Sequence, residues 1–200
     1  CKQPKADIKK IDKVLYSHMH GDQTHGINDL RSFYINSKKQ INVFADTTTT
    51  KYLKKTFSYI FKSFYKEYPA TLKINKLEKN FCVNNKSKKV GIKTIEVKHG
   101  KVKSNCFIID KKLAYISDVS KIYNKDYKYF KNLEYLILDC LWYDYHPSHF
   151  NLETSLSIIK KFKPKKAILT NLSPVLDYKV LKKNLPRNIV PAHDGLSIKL

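Results

Sequence analysis

Ser17-His-Met-His-Gly-Asp-Gln-Thr-His-Gly26 decides how this chain is read. It grows out of a short apolar run, Lys13 to Ser17 (KVLYS), which reads as a strand entering a polar, histidine-rich turn. Side chains two apart on an extended segment project to the same side. His18 and His20 can therefore grip one divalent metal through ring nitrogens. Asp22 follows where the chain turns into a helix, placed to serve a second metal or to hold and deprotonate a metal-held water. A bare His-x-His is common by chance. What adds weight here is its company: His99-Gly100 after one later strand and Ser117-Asp118 after another.

Working outward, the chain alternates strands and helices without a repeat or a long linker, which predicts one α/β domain over residues 1–200. Helices are expected over His25 to Phe33 (Ile27, Leu30 and Phe33 on one face), from Asp46 through about Phe64, from an Asn151 cap to Phe162, and over Tyr178 to Leu185. Strands are expected at Ile41 to Ala45, Leu72 to Leu77, Val90 to Val97, Cys106 to Ile109, Leu113 to Ser117, Tyr135 to Leu138 and Ala167 to Thr170. Short strands around Ile189 and Ile198 would end the chain. Asn84-Asn85 and Asp110-Lys111 read as turns. His18, His20, Asp22, His99, Asp118, Asp139 and Asn171 each follow a strand directly, so they can converge at one sheet edge, as in α/β active sites.

Composition narrows the classes. The apolar fraction of 42% is that of a globular protein, not a disordered one. The best apolar run, Leu133 to Tyr143, is broken by Glu134 and Asp139 and falls short of a membrane span. The formal charge of +22 invites a nucleic-acid partner. However, the basic residues are almost all Lys, with Arg31 and Arg187 the only arginines, and base readers and phosphate clamps favour Arg. A lysine-coated solvated surface that attracts a small anionic substrate is the preferred reading. The cysteines at 1, 82, 106 and 140 form no Cys-x-x-Cys pair, so they read as small hydrophobes; with no signal peptide visible, the cytoplasm is the expected compartment.

The ordered motifs resemble a known family. His18-x-His20-x-Asp22 is similar to the His-x-His-x-Asp-His signature of the metallo-β-lactamase fold. Nearly the whole chain resembles a branch related to the phosphoribosyl cyclic phosphodiesterase of phosphonate metabolism. The matching segments are VLYSHMHGDQTHGINDLR (14–31), VKHGKV (97–102), LAYISDVS (113–120), LILDCLWYDYHPSHF (136–150), AILTN (167–171) and PAHDG (191–195). The resemblance implies an αββα sandwich. It also implies about 50 to 60 residues ahead of the His motif, from typical domain size. On that reading the chain, which starts at Cys1, is a fragment lacking the first strands.

By the same resemblance His18, His20 and His99 would hold a first metal, Asp118 would bridge to a second, and Asp22 would bind the second. Zinc is the expected ion and manganese the alternative. His149 resembles a histidine that orients phosphate or protonates a leaving group, and Asp194 a carboxylate supporting a ligand histidine. Two positions depart from the pattern: Gln23 stands where a histidine follows the aspartate, and Ser173 where a further ligand histidine is expected. Both would serve the second metal, so one site is intact and the second weakened; His25, His146 and His193 are the candidates to compensate.

The implied function is metal-dependent hydrolysis of a phosphodiester by a metal-activated hydroxide, without membrane association and with a homodimer as the candidate assembly. The alternatives are a catalytically impaired fold member that binds without turnover, favoured by Gln23 and Ser173, and an RNA-processing nuclease of the same fold. Against the nuclease, neither an RNA-clamping arm nor a His-Glu pair in the expected place is visible. Taken singly, His18 and His20 could be loop residues, His99-Gly100 a turn and Asp118 a cap. His146 reads as structural, Asp139 as a hydrogen-bonded structural residue, Cys140 as inert, and Trp142, Tyr143 and Tyr145 as packing or cleft residues.

Overall fold

In the computed structural model, residues 11, 13–85 and 88–200 are described. The cysteine at position 1 lies outside them. The described chain resolves into two compact units, one up to Glu78 and the other from Lys79 to Leu200.

The first unit is a parallel three-stranded sheet, β1 (Lys13–Leu15), β2 (Ile41–Ala45) and β3 (Leu72–Lys76), in the order β1-β2-β3. Strand β2 alternates strictly: Ile41, Val43 and Ala45 are buried while Asn42 and Phe44 are less so. That is the period of a pleat with one face on a core. The expected helix over His25 to Phe33 is two pieces instead, a 3₁₀ turn (His25–Asp29) and α2 (Leu30–Ser37), and a short α1 (Gly21–Thr24) precedes them. Ile27 and Phe33 are nevertheless buried and Leu30 packs beside them, as their spacing required.

The helix expected to run through Phe64 also breaks. Asp46 caps α3 (Thr47–Thr56), its carboxylate accepting from the Thr49 amide at 2.7 Å. Phe57 then leaves helical geometry (φ −121°, ψ 41°) before the short α4 (Ser58–Phe61). The break lets the Phe57 ring bury edge-on against Tyr52 and His25, a tertiary gain that outweighs helix continuity over one residue.

The second unit is a seven-stranded mixed sheet of order β10-β9-β8-β7-β6-β5-β4. Its strands are β4 (Asn80–Asn85), β5 (Lys88–His99), β6 (Val102–Ile109), β7 (Leu113–Ile116), β8 (Tyr135–Asp139), β9 (Lys166–Thr170) and β10 (Ile189–Pro191). From β4 to β7 the pairs are antiparallel; from β7 to β10 they are parallel. Strand β4 includes Asn84 and Asn85, read from sequence as a turn; pairing with β5 overrides their poor strand propensity. Ile198 lies in no strand.

Helix α5 (Leu152–Phe162) starts on the expected cap, with Asn151 accepting from the Thr154 amide at 3.0 Å, and α6 (Tyr178–Asn184) starts on Asp177. The core gathers Leu136 and Leu138 of β8, Ala167 and Leu169 of β9, and the stacked rings of Phe130 and Phe162. Cys106 and Cys140 are buried free thiols there; burial pushes both up, Cys140 to about 12, which keeps them unreactive.

Candidate metal centre

In the first unit, Tyr16, Ser17 and His18 run on from β1, and the Tyr16 amide donates to the Phe44 carbonyl at 2.9 Å, extending the pairing with β2. His18 is buried. Its Nε2 faces His20 Nδ1 at 3.0 Å, while Ser17 Oγ lies 3.1 Å from His18 Nδ1. The segment then turns into α1, with the Thr24 hydroxyl donating to the His20 carbonyl at 2.8 Å. Asp22 sits in the first turn of α1, and the Gln23 amide donates to its Oδ2 at 3.0 Å. Partial burial opposes ionisation of Asp22, but the Gln23 hydrogen bond and the nearby His18 and His20 outweigh it and hold the carboxyl below its ordinary range.

In the second unit, His99, Asp118 and His149 each offer a ligand atom, all within 4.8 Å of one another. Three local devices place them. His99 ends β5, and its Nδ1 lies 2.7 Å from the Ser148 carbonyl, which can only accept. Nδ1 therefore carries the proton, and in the neutral ring Nε2 is the lone-pair nitrogen. Gly100 makes this approach feasible: it turns the chain at φ +57°, and a Cβ there would come within 2.8 Å of Ser148 Cβ. Asp118 follows β7, with the Ser117 hydroxyl donating to its Oδ2.

His149 is positioned by Asp139, the fully buried last residue of β8. Its Oδ2 lies 2.8 Å from His149 Nδ1 and accepts from the Val119 amide at 3.0 Å, and its Oδ1 accepts from the Asn171 amide at 3.2 Å. Burial pushes the Asp139 carboxyl above its usual range, and His149, Val119 and Asn171 pull back against it. The sequence marked Asp139 as a hydrogen-bonded structural residue but gave no sign that it holds His149. Its place at a strand end, ten residues before the histidine, was the only available signal.

The remaining histidines are engaged elsewhere. His25 Nε2 lies 3.2 Å from the Tyr52 hydroxyl. His146 Nδ1 accepts from the Ser148 amide and its ring stacks on Trp142. His193 Nδ1 lies 3.0 Å from the Asp194 carbonyl. Asp194 is exposed.

The donor chemistry suits a divalent cation. Tetrahedral zinc with Zn–N bonds of about 2.0–2.1 Å holds two nitrogens ~3.3 Å apart. The His18 and His20 nitrogens, at 3.0 Å, are close to that spacing. His99, with a carbonyl on its far nitrogen, and His149, with a carboxylate, have the outer partners typical of metal-binding imidazoles. At Ser173 the buried hydroxyl finds no hydrogen-bond partner, an orphaned polar atom where the sequence pattern expects a ligand histidine.

The sequence model of the family described as "Beta-lactamase superfamily domain" matches residues 1–170. A crystal structure described as a new diphosphatase from the PhnP family is similar at TM-score 0.84 and 28% identity, over 96% of this chain and 73% of that one. The short form of human tRNase Z shares the fold at TM-score 0.71 and 15% identity, over 98% of this chain and 81% of that one. An octanoyltransferase of Porphyromonas gingivalis is 25% identical over 194 residues, 96% of this chain; the chain spans 38% of that relative's length.

Proposed function

The chain belongs to the β-lactamase superfamily, and from that membership we propose that it is a metal-dependent hydrolase acting on a phosphodiester, with residues 1–200 serving as one catalytic domain. The mixed α/β fold anticipated from the sequence is that of its metallo-β-lactamase-fold relatives. Among the described residues no helix is long and apolar enough to cross a membrane.

In this reading His18, His20 and His99 hold one divalent cation, zinc in first place and manganese as the alternative. Asp118 would be shared with a second metal position, and Asp22 would serve that second position or the attacking water. A catalytic zinc supplies Lewis acidity and brings the pKa of a coordinated water to about 7. The side chains supply orientation and proton transfer. Protonation at Nδ1 makes His99 a ligand through Nε2. Asp139, by holding His149 at Nδ1, turns Nε2 of that ring toward proton delivery to a leaving oxygen or contact with a phosphoryl oxygen.

A phosphoryl substrate is favoured by the similarity to a PhnP-family diphosphatase and by the +22 charge. The octanoyltransferase name belongs to a relative of which this chain spans 38%, and acyl transfer is not proposed. The observation that carries the reading is the convergence of His99, Asp118 and His149 in a chain whose family match also contains His18 and His20.

A second reading, a fold member that binds without turnover, is favoured by Gln23 and by the orphaned Ser173 hydroxyl. Elemental analysis with bis(p-nitrophenyl) phosphate turnover separates the two. The hydrolase predicts about one zinc per chain and activity, both lost in His18→Ala/His20→Ala. Metal-free, inactive wild-type protein would establish the binding reading instead.

A further inference from the structure

The first unit carries a cavity of about 600 Å³ whose lining includes none of the candidate metal or catalytic residues. Its walls are aromatic: Tyr59, Phe64, Tyr65 and Tyr68, from α4 and the loop leading to β3, all line it. They are unusually open, with Phe64 58%, Tyr65 70% and Tyr68 60% exposed. Three exposed rings on one recess offer faces against which a planar ligand can stack.

The rim is basic. Arg31 and Lys38 come from the α2 side and Lys66 from the loop, against a single carboxylate, Glu67. Arg31, one of two arginines in the chain, sits 5.9 Å from the centre of the Tyr68 ring, a cation–π contact that steadies the ring. The Tyr59 hydroxyl donates to Asn28 Oδ1, which fixes a second ring.

We propose that this cavity binds single-stranded nucleic acid, with bases stacking on Tyr65, Tyr68 and Phe64 and backbone phosphates meeting Arg31, Lys38 and Lys66. The chemistry matches both halves of such a strand: every base offers a π-face to an aromatic ring, and the charge on the rim complements the phosphates. Concavity argues against the main competitor, an anionic bilayer. A membrane surface presents no planar group to fill a recess of this volume, whereas an unstacked base does. The proposal does not rest on the metal centre and is tested with metal chelated.

The test is fluorescence anisotropy of a labelled oligouridylate of about ten nucleotides, a length within the usual site sizes. Tyr65→Ala/Tyr68→Ala is expected to weaken binding at least about tenfold, since each stacked base contributes that order. Tyr65→Phe/Tyr68→Phe keeps the rings and should bind like the parent. Lys160→Ala/Lys183→Ala removes two exposed charges elsewhere and should change binding less than about threefold. With the unmodified protein, photocross-linking of 4-thiouridine RNA is expected to label residues within 59–68.

Parent-like binding by the double alanine variant, or cross-links confined to residues 79–200, would overturn the proposal. So would the alanine variant losing binding to phosphatidylglycerol–phosphatidylcholine vesicles while keeping RNA. That result would make the patch a membrane-docking surface.

Discussion

The Asp139–His149 pair shows what individual residues contribute beyond their identities. His149 was marked from sequence by resemblance alone. The structure adds the buried carboxylate that fixes one ring nitrogen and the neighbouring His99 and Asp118. If His149 protonates the leaving group, His149→Ala should lower turnover of an alkyl phosphodiester by roughly 10²- to 10⁴-fold. Turnover of bis(p-nitrophenyl) phosphate should fall far less, because its leaving group departs without a proton. Equal losses on both substrates would make His149 a ligand or an orienting group. The departures at Gln23 and Ser173 act at the same scale. Gln23→His/Ser173→His should raise bound zinc from about one toward two per chain by elemental analysis, because imidazole replaces poor zinc ligands. Unchanged stoichiometry would show that those positions do not face a second ion.

Among the elements, periodicity made the cores legible and breaks hid the rest. Ile27 and Phe33 are buried as their spacing required, although the helix bearing them is split. The Phe57 break and strand β4 were not readable, since both are decided by partners distant in sequence: a ring that packs on Tyr52 and His25, and a ladder against β5. The β5–β6 hairpin shows how an element positions a ligand. Gly100 provides both the left-handed turn and the room for Ser148 to reach His99. Gly100→Ala should strain the turn by about 1–2 kcal/mol and push Ser148 away. Metal affinity should then fall by about 10- to 100-fold in a chelator competition, the usual effect of losing an outer partner of a ligand histidine. Unchanged affinity would mean that the Ser148 carbonyl does not orient His99.

At the level of the whole molecule, the sequence disclosed the family and the order of motifs, while the two compact units were not legible in it. The reason is physical: no proline- or glycine-rich linker marks residues 78–79, and the division emerges only from which strands pair. The +22 charge was read from composition as a solvated lysine coat. The structure is consistent with that coat, since basic residues border several recesses, and Arg31, Lys38 and Lys66 are the ones that line the aromatic cavity of the first unit. The proposed hydrolase assigns one ion to imidazoles at positions 18, 20 and 99. Anomalous diffraction at the zinc edge from zinc-loaded crystals tests it most directly. A single strong peak is expected about 2.0–2.1 Å from a ring nitrogen of each of the three histidines. A peak bonded to other residues, or none at all, would contradict it.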